Sequence, residues 1–303
     1  MKRSTSFVII LLLAQSIACL TQTLQDASAL IEASISSADL NAKDALYYTF
    51  HEDDSNIVPD ILGTPPMPKL PGTQWMIPVF TVNSEYRWSI QLDVLFIEGI
   101  PYRRLIGINN QKLPPELMTF ESQKYDRAVA TIHTLSPQQR QQRLVSPEDR
   151  PSLYIDPKQF RSFYSCKATG HEKVDKRSST IVRCKPLNKL QESNTAQASG
   201  EVTLWVDEQR PFFHRMRLVL DHTLGQYGRG TTFTDTWSLI DGVWHETSAE
   251  LDWVGAATFS KNIETPAPTP GFANNVEQTN RGKEIITFSN FKKFRTESRI
   301  LNP

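Results

Sequence analysis

The sequence predicts a single-domain protein of the α+β class, built mainly from antiparallel strands with a few helices. Apolar residues alternate with polar ones from Trp88 to Phe96, which is the period of a strand with one buried face. Seven further strand-like segments lie between residues 160 and 295, separated by turns or polar linkers. Thr23–Ser37 and Pro114–Leu135 instead repeat their apolar residues every three or four positions, which predicts two helices.

The composition allows a sizeable hydrophobic core and argues against nucleic acid as a partner. In a chain of 303 residues, 39% hydrophobic residues are enough for a sizeable core. The 33 basic residues balance the 33 acidic ones, so the chain has no overall field that would attract nucleic acid or an anionic membrane surface. We therefore expect no nucleic-acid partner.

The first 19 residues have the layout of a signal peptide. Lys2 and Arg3 supply a positive start, Phe7–Leu13 is an apolar run, and Ser16–Ala18 places small residues at alternate positions. The apolar run is well short of the roughly 20 residues that span a bilayer, and no later segment approaches that length. We therefore expect residues 1–19 to direct export, residues 20–303 to form the folded domain, and no segment to span a membrane. The alternative is an N-terminal core helix.

Cys19 leaves two routes of processing open. It follows Ala18 directly, and this arrangement resembles the lipobox of bacterial lipoproteins, in which the cysteine is acylated. Lipoboxes usually carry Leu three residues before the cysteine, whereas Ser16 occupies that position here and suits ordinary signal-peptidase cleavage equally well. The first route predicts a protein anchored to a membrane through Cys19, and the second predicts a protein of the periplasm.

Cys166 and Cys184 form a predicted disulfide bond. Once Cys19 is removed or lipidated, they are an even pair in an oxidising compartment. They lie equidistant from Asp175, so a hairpin centred on that residue would place them opposite each other. Opposed β-carbons on neighbouring strands are about 4.5 to 5.5 Å apart, which is near disulfide range after a small adjustment.

A proline-rich segment follows a predicted early strand at Ala45–Phe50. The five prolines between Asp53 and Gln74 are Pro59, Pro65, Pro66, Pro68 and Pro71. Because proline has no N–H to donate to a neighbouring strand, this segment, residues 53–74, is expected to form an inserted surface loop.

One hairpin can be registered in two ways. If Asp241 and Gly242 form a two-residue turn, Leu239 faces Trp244, and apolar residues share a face with glutamates. A three-residue loop, Ile240–Gly242, keeps that face more apolar, because it aligns Phe233, Trp237 and Leu239 with Ala249, His245 and Val243. The second register is preferred, and it places Trp244 on the outer face.

Polar residues on this predicted apolar face are the candidate binding site. His214, Asp235 and His245 are expected to point inward together with Trp237. Because buried polar groups cost free energy unless they find partners, these residues form either a satisfied structural network or a contact for a ligand's polar head.

Motifs for catalysis and for metal binding are absent from the sequence. There is no glycine-flanked serine, no metal-spaced pair of Cys or His, and no phosphate-binding glycine loop. His51–Asp54 carries several ligand-type side chains, but neighbours on a strand point to opposite faces, which favours a solvated strand end. We therefore expect neither an enzyme nor a metal or cofactor site. A hydrolase with a site assembled in space is a weaker alternative.

Three segments resemble the LolA-like superfamily of exported proteins, which includes proteins that sort outer-membrane lipoproteins. They are Asp93–Ile106, Gly200–Glu208 and Phe288–Ile300, and the similarity extends from about Leu24 to Ile300. The resemblance implies an open half-barrel sheet curled around helices, with an apolar concave face that accepts lipids or the acyl chains of lipoproteins in better-known relatives. The proline-rich insert departs from the usual short first hairpin.

The resemblance implies two functions. The first is a non-enzymatic protein of the cell envelope that binds a lipid, an acylated chain or another apolar ligand on the concave face. The alternative is an interaction or sensor module that docks an envelope protein, as in relatives that bind anti-sigma factors.

Overall fold

The computed structural model describes residues 26–45, 47–60, 66–70, 73–140, 160–187, 200–225, 227–255 and 281–293. The predicted signal peptide and Cys19 lie outside this described part. The helices are α1 (Ala27–Ala45), α2 (Pro115–His133) and the short α3 (Phe160–Phe163). The strands are β1 (Tyr48–Pro59), β2 (Phe80–Val82), β3 (Glu85–Ile97), β4 (Ile100–Ile108), β5 (Gln111–Lys112), β6 (Tyr164–Val174), β7 (Arg177–Pro186), β8 (Gly200–Asp207), β9 (Phe213–Leu220), β10 (Thr232–Ile240), β11 (Val243–Val254) and β12 (Arg281–Lys293).

All twelve strands belong to one antiparallel sheet, whose order is β5-β4-β3-β1-β12-β11-β10-β9-β8-β7-β6, with β2 added beside β3. The sheet does not close, because within the described residues the end strands β5 and β6 each pair only with their sequence neighbour. Sequential hairpins build both halves, and β1 and β12 join the halves at the centre. The open antiparallel half-barrel expected from the sequence is confirmed.

Helix α1 packs on one face of the sheet, which we call the inner face. Its residues Ala27, Leu30 and Ile31 are buried against side chains of β6 to β9, such as Val202 and Leu218. These apolar positions recur every three to four residues, so a single stripe of the helix meets the sheet. Of the helix predicted at Thr23–Ser37, residues 23–25 lie outside the described part; the helix is present from Ala27 and continues to Ala45.

Helix α2 covers the edge of β4. It begins at Pro115, directly after Pro114, and ends at His133, close to the predicted limits. Its Leu117 packs with Leu105, while Ile132 packs with residues of the β3–β4 hairpin. The buried carboxylate of Glu121 accepts a hydrogen bond of 3.3 Å from the backbone N–H of Leu105. The helix therefore caps a strand edge that would otherwise present unpaired donors.

The proline-rich region contradicts part of the prediction. Strand β1 continues through Asp53 to Pro59 and pairs with both β3 and β12, so the first seven residues of the expected insert hold a sheet ladder. Pro59 is tolerated because it is the last residue of the strand, where a missing N–H interrupts little. Farther on, Lys69 and Met76 form an isolated bridge.

The β10–β11 hairpin also differs from the preferred prediction. Ile240 pairs with Val243, so the turn is the two-residue Asp241-Gly242, in which both residues have positive φ angles of 50° and 83°. A bulge then inserts Thr247 between the pairs Trp237–Glu246 and Thr236–Ser248. Beyond it, Phe233 faces Leu251, so the bulge restores an apolar alignment that an unbroken two-residue hairpin would lose. Trp244 is correspondingly buried, at 5% exposure, and does not lie on an exposed outer face.

The predicted disulfide between Cys166 and Cys184 is present, and a second bulge makes it possible. The hairpin turns at Asp175 and Lys176, with Val174 opposite Arg177. In that register Cys166 would face Lys185. An irregularity between Ala168 and Gly170 shifts the pairing by one residue and brings the cysteines opposite each other.

No helix in the described residues is both long enough and apolar enough to cross a bilayer.

Candidate functional site

The four predicted ligand residues do not form one cluster. Asp235 lies between Met216 of β9 and Ala249 of β11 on the inner face, where it is half-buried. His214 and Trp237 belong to a packed aromatic group near the β8–β9 turn. His245 lies in a different aromatic group, near the ends of β1 and β12.

The group around His214 is tightly packed. Trp244 stacks on Phe212, with ring centroids 5.0 Å apart, and Trp237 meets the same phenylalanine at 6.3 Å. His214 is 1% exposed, and its Nε2 lies 2.6 Å from the hydroxyl of Ser179. Burial lowers the pKa of this histidine from its ordinary value, so it is held neutral.

An ion pair between a buried carboxylate, Asp207, and a half-buried guanidinium, Arg177, lies beside this group. The Asp207 carboxylate, 1% exposed, accepts hydrogen bonds from Arg177 and from the backbone N–H groups of Gln209 and Arg210. Burial alone would raise the pKa of Asp207, but these donors outweigh it, so its pKa lies below the ordinary value. The Arg177 guanidinium also lies 5.2 Å from the ring centroid of Trp244.

The open part of the inner face lies at the centre of the sheet, and we call it the central patch. Its two rows of directly opposed residues are Met216, Asp235, Ala249, Ile286, Asp54 and Ile90, and then Phe233, Leu251, Glu284, Asn56 and Trp88. Directly opposed residues on neighbouring strands project from the same face, which makes each row continuous across the sheet. All of these residues except Leu251 keep part of their surface exposed. The patch therefore connects the core under α1 with the core beside α2.

Acidic side chains border the apolar residues of this patch. Glu52, 6% exposed, lies opposite Phe288 and Leu92, and it pairs with Arg103 at 3.0 Å. Burial raises the pKa of Asp54 to about 7, and the nearby charges of Glu284 and Glu52 add to this effect. Burial, with a smaller contribution from Glu52, also raises the pKa of Glu284.

Glu52 corrects the expectation of a solvated strand end at His51–Asp54. The four side chains alternate as expected, but Glu52 faces the buried inner side, whereas His51 pairs with Asp93 on the other face. One sequence signal could have identified this site. Glu52 and Asp54 are two residues apart, so they share a strand face with the apolar Phe50. Within the described residues, no group of three or more metal-binding side chains is brought together.

A second feature lies where β11 and β12 separate. The two strands pair from Val254–Arg281 as far as Ser248–Thr287, after which β12 continues beside β1 alone. Aromatic rings fill the gap, and we call this group the aromatic wedge. Its members are Tyr48, Phe50, His245, Phe288 and Phe291, with ring centroids between 4.3 and 5.7 Å apart in each contacting pair.

Two polar atoms in the wedge are buried without a hydrogen-bond partner among the described residues. They are the hydroxyl of Tyr48 and the Nε2 of His245. Tyr48 is 0% exposed and His245 is 5% exposed. Burial lowers the pKa of His245 to about 4, although Asp241 opposes this shift, so the imidazole is neutral near pH 7. The wedge is therefore an aromatic site with two unused, uncharged hydrogen-bonding groups.

The structure is similar to solved structures of low sequence identity. A DUF1329 family protein from Desulfovibrio piger ATCC 29098 is 13% identical, covers 89% of this chain and 94% of its own, and has a TM-score of 0.33. An outer membrane lipoprotein-sorting protein domain from Vibrio parahaemolyticus is 12% identical over 89% of this chain and 95% of its own, with a TM-score of 0.35. A LolA superfamily protein from Nitrosomonas europaea is 10% identical over 88% and 98% of the respective chains, with a TM-score of 0.25.

The second and third of these structures carry names of the group that the sequence resembles. At their TM-scores the similarity carries no information about the ligand, partner or activity of this chain. No protein-family model matches the chain, and no curated protein matches its sequence.

Proposed function

We propose that this protein binds an amphiphilic lipid or an acylated chain on the central patch of its inner face. The observation that carries the proposal is the continuous row from Met216 through Ala249 to Ile90, which α1 and α2 flank and leave partly exposed. An apolar surface with a few polar groups on it is the usual composition of a small-molecule site. The proposed function is binding and includes no chemical step. The predicted signal peptide favours the cell envelope as its location.

The polar groups on this surface favour an amphiphile over a purely apolar ligand. Asp235 and Asp54 stand in the same row as Ala249 and Ile286. A hydrocarbon chain would lie along the apolar residues. A polar group of the same molecule would make hydrogen bonds to the two carboxyl groups, in place of some of the water that the ligand displaces. Asp235 and His245 are the ligand contacts that the sequence predicts and that this proposal retains.

Ala249 provides the sharpest test, because it is the small residue at the middle of the row. Ala249→Trp would fill the patch, whereas Ser248→Trp places the same side chain on the opposite face of β11 and serves as the matched control. We would export the chain from Leu20 onward in a bacterial host, purify it without detergent, and compare native with denatured mass spectra. A lipid-sized excess mass is expected in the native protein and in Ser248→Trp, but not in Ala249→Trp.

The control for folding is the melting temperature of each variant. A wild-type protein that carries no lipid, even after incubation with lipid extract, would contradict the proposal. Retention of the lipid by Ala249→Trp would place the ligand elsewhere. Asp235→Ala should weaken binding without changing the melting temperature if Asp235 contacts the ligand. His245→Ala should weaken binding as well, but it also removes a buried ring that packs on Tyr48 and Phe291, so its melting temperature is expected to fall.

A second function is favoured by one edge of the sheet. Within the described residues, β6 pairs only with β7, so the other edge of its eleven residues presents backbone groups to solvent. Such an edge can accept a strand from a partner protein. If the native protein carries no lipid, Lys173→Pro, which removes a backbone N–H that faces the free edge of β6, is expected to abolish capture of an envelope partner.

A further inference from the structure

We propose that the aromatic wedge binds the head group of the ligand, and that it selects an uncharged hydroxyl or ester head over a carboxylate head. This inference rests on the proposed lipid-binding function and names the class of lipid. The evidence is the pair of unpartnered polar atoms, the position of the wedge beside the central patch, and the charges around it.

The unpartnered atoms point to a ligand group. A buried polar atom without a partner costs about 1 to 3 kcal/mol, so such atoms are rare unless another group completes them. The Tyr48 hydroxyl and the His245 Nε2 belong to rings whose centroids are 4.3 Å apart. One hydroxyl or carbonyl group inserted beside these rings could satisfy both.

The wedge is continuous with the central patch. Tyr48, Phe50, Glu52 and Asp54 alternate along β1 and therefore share the inner face. Phe288 of the wedge lies directly opposite Glu52, two residues along β12 from Ile286 of the patch. A lipid whose chain lies on the patch can therefore place its head among the wedge rings.

The wedge can open without breaking the sheet. No backbone pairing joins β11 to β12 beyond the Ser248–Thr287 pair in the described residues, and the gap is closed by ring contacts such as His245–Phe291 at 4.6 Å. A head group could therefore enter by displacing rings, with no β11–β12 backbone hydrogen bond to break.

The surrounding charges disfavour an anion. Asp54 and Glu284 border the path from the patch to the wedge, and a carboxylate head would be repelled there, whereas Arg103 offsets the charge of Glu52. The positive charge beside the wedge itself is Lys293, whose ammonium lies 5.8 Å from the ring centroid of Tyr48, but this lysine is exposed, so water screens it. His245 is neutral near pH 7 and adds no positive charge. The balance favours an uncharged head.

The test compares two lipids with the same chain, monooleoylglycerol and oleate, each below its aggregation concentration at pH 8. Affinities for the protein from Leu20 onward would be measured by tryptophan fluorescence and native mass spectrometry. Monooleoylglycerol is expected to bind at least about tenfold more tightly, the equivalent of one good hydrogen bond. Tyr48→Phe, which removes only the hydroxyl, should reduce this preference to about threefold or less, and Tyr47→Phe on the exposed neighbouring residue should leave it unchanged.

The outcomes separate the two proposals. If neither lipid binds, the proposed lipid-binding function fails. If both bind equally, or if Tyr48→Phe binds both as the wild type does, the head-group inference fails while the binding function stands. Tyr48→Phe should also leave the melting temperature of the ligand-free protein unchanged or raise it, because the hydroxyl has no partner to lose. A clear fall would mean that a buried water or another group already satisfies the hydroxyl, and it would overturn the inference.

Discussion

The side chain of Asn41 in helix α1 makes two hydrogen bonds to the backbone of Trp244 in strand β11. Its Nδ2 donates to the Trp244 carbonyl oxygen at 2.7 Å, and its Oδ1 accepts from the Trp244 N–H at 2.6 Å. The amide thus makes the hydrogen bonds that a neighbouring strand would make, at a position where β12 no longer pairs with β11. Through this contact the helix is fixed to the sheet next to the aromatic wedge.

The first prediction concerns this contact. Asn41→Ala removes both hydrogen bonds and leaves two strand groups unpaired, so we expect a loss of about 1 to 2 kcal/mol in the free energy of unfolding. The gain in helix propensity from alanine offsets part of this loss. Lys43→Ala on the exposed side of α1 is the control and should change stability little. Urea denaturation of both variants makes the measurement, and equal stabilities would contradict the role of Asn41.

The second prediction concerns the disulfide. Cys166 and Cys184 close a loop with a sequence separation of 18 residues. Reduction should lower the free energy of unfolding by about 3 kcal/mol, because the unfolded chain regains the entropy of that loop. Unfolding with and without reductant measures the difference, and the double variant Cys166→Ala, Cys184→Ala should not respond to reductant. Reactive thiols at both positions in the denatured, unreduced protein would show that the bond does not form.

Much of the fold follows from periodicity, whereas the registers do not. The alternation in β3 and the apolar stripes of α1 and α2 are local signals, and the structure confirms these elements. The bulges at Thr247 and Thr169 leave no comparable signal, because each shifts the pairing by one residue inside an ordinary strand sequence. The predicted pairing of the cysteines is nevertheless confirmed, because a hairpin centred on Asp175 has the same register as the observed strands beyond the bulge. The register predicted at the β10–β11 turn is wrong because it rests on an apolar alignment that the bulge, and not the turn, supplies.

The site was predictable only in part. The inner-face position predicted for Asp235 agrees with the pairing of its strand, which alternates regularly there, while its role as a ligand contact stays a prediction. The central patch was beyond local analysis, since Asp54 and Glu284 are 230 positions apart in the sequence and meet only through the β1–β12 pairing. The same long-range pairing creates the wedge, in which His245 contacts Tyr48. Contacts made through the pairing of the first and last strands have no characteristic spacing in the sequence, so local patterns do not predict them.

The third prediction concerns the buried carboxylate of Asp207. Asp207→Asn leaves Arg177 without its ion pair and replaces an acceptor oxygen with a donor facing other donors, so we expect a loss of roughly 3 kcal/mol at pH 7. Because the folded-state pKa of Asp207 lies below its ordinary value, its contribution is present above about pH 4 and is lost as the pH falls further. Glu208→Gln is the control, since Glu208 pairs with the exposed His171. Denaturation at pH 7 and pH 3 should show a difference between Asp207→Asn and wild type that shrinks at low pH.

The fourth prediction concerns the pH dependence caused by Asp54. Its pKa is about 7 in the folded protein and near 3.8 in the unfolded chain, so between these values the folded state holds a proton that the unfolded state has released. The stability contributed by Asp54 is therefore present below about pH 4 and lost as the pH rises through 7. Asp54→Asn abolishes this titration and should be more stable than wild type by roughly 2 to 4 kcal/mol at pH 8, with little difference near pH 4.

Two features make that comparison specific. His245 has the opposite dependence: its pKa is lowered to about 4, so its contribution is lost as the pH falls below about 6.5. Both proteins retain His245, so the difference between wild type and Asp54→Asn isolates the carboxyl group. Asp53→Asn, on the opposite face of the same strand, controls for the removal of one negative charge. A stability difference for Asp54→Asn that stays constant from pH 4 to pH 8 would show that the carboxyl group is solvated. It would contradict the low polarity that the proposal assigns to the central patch.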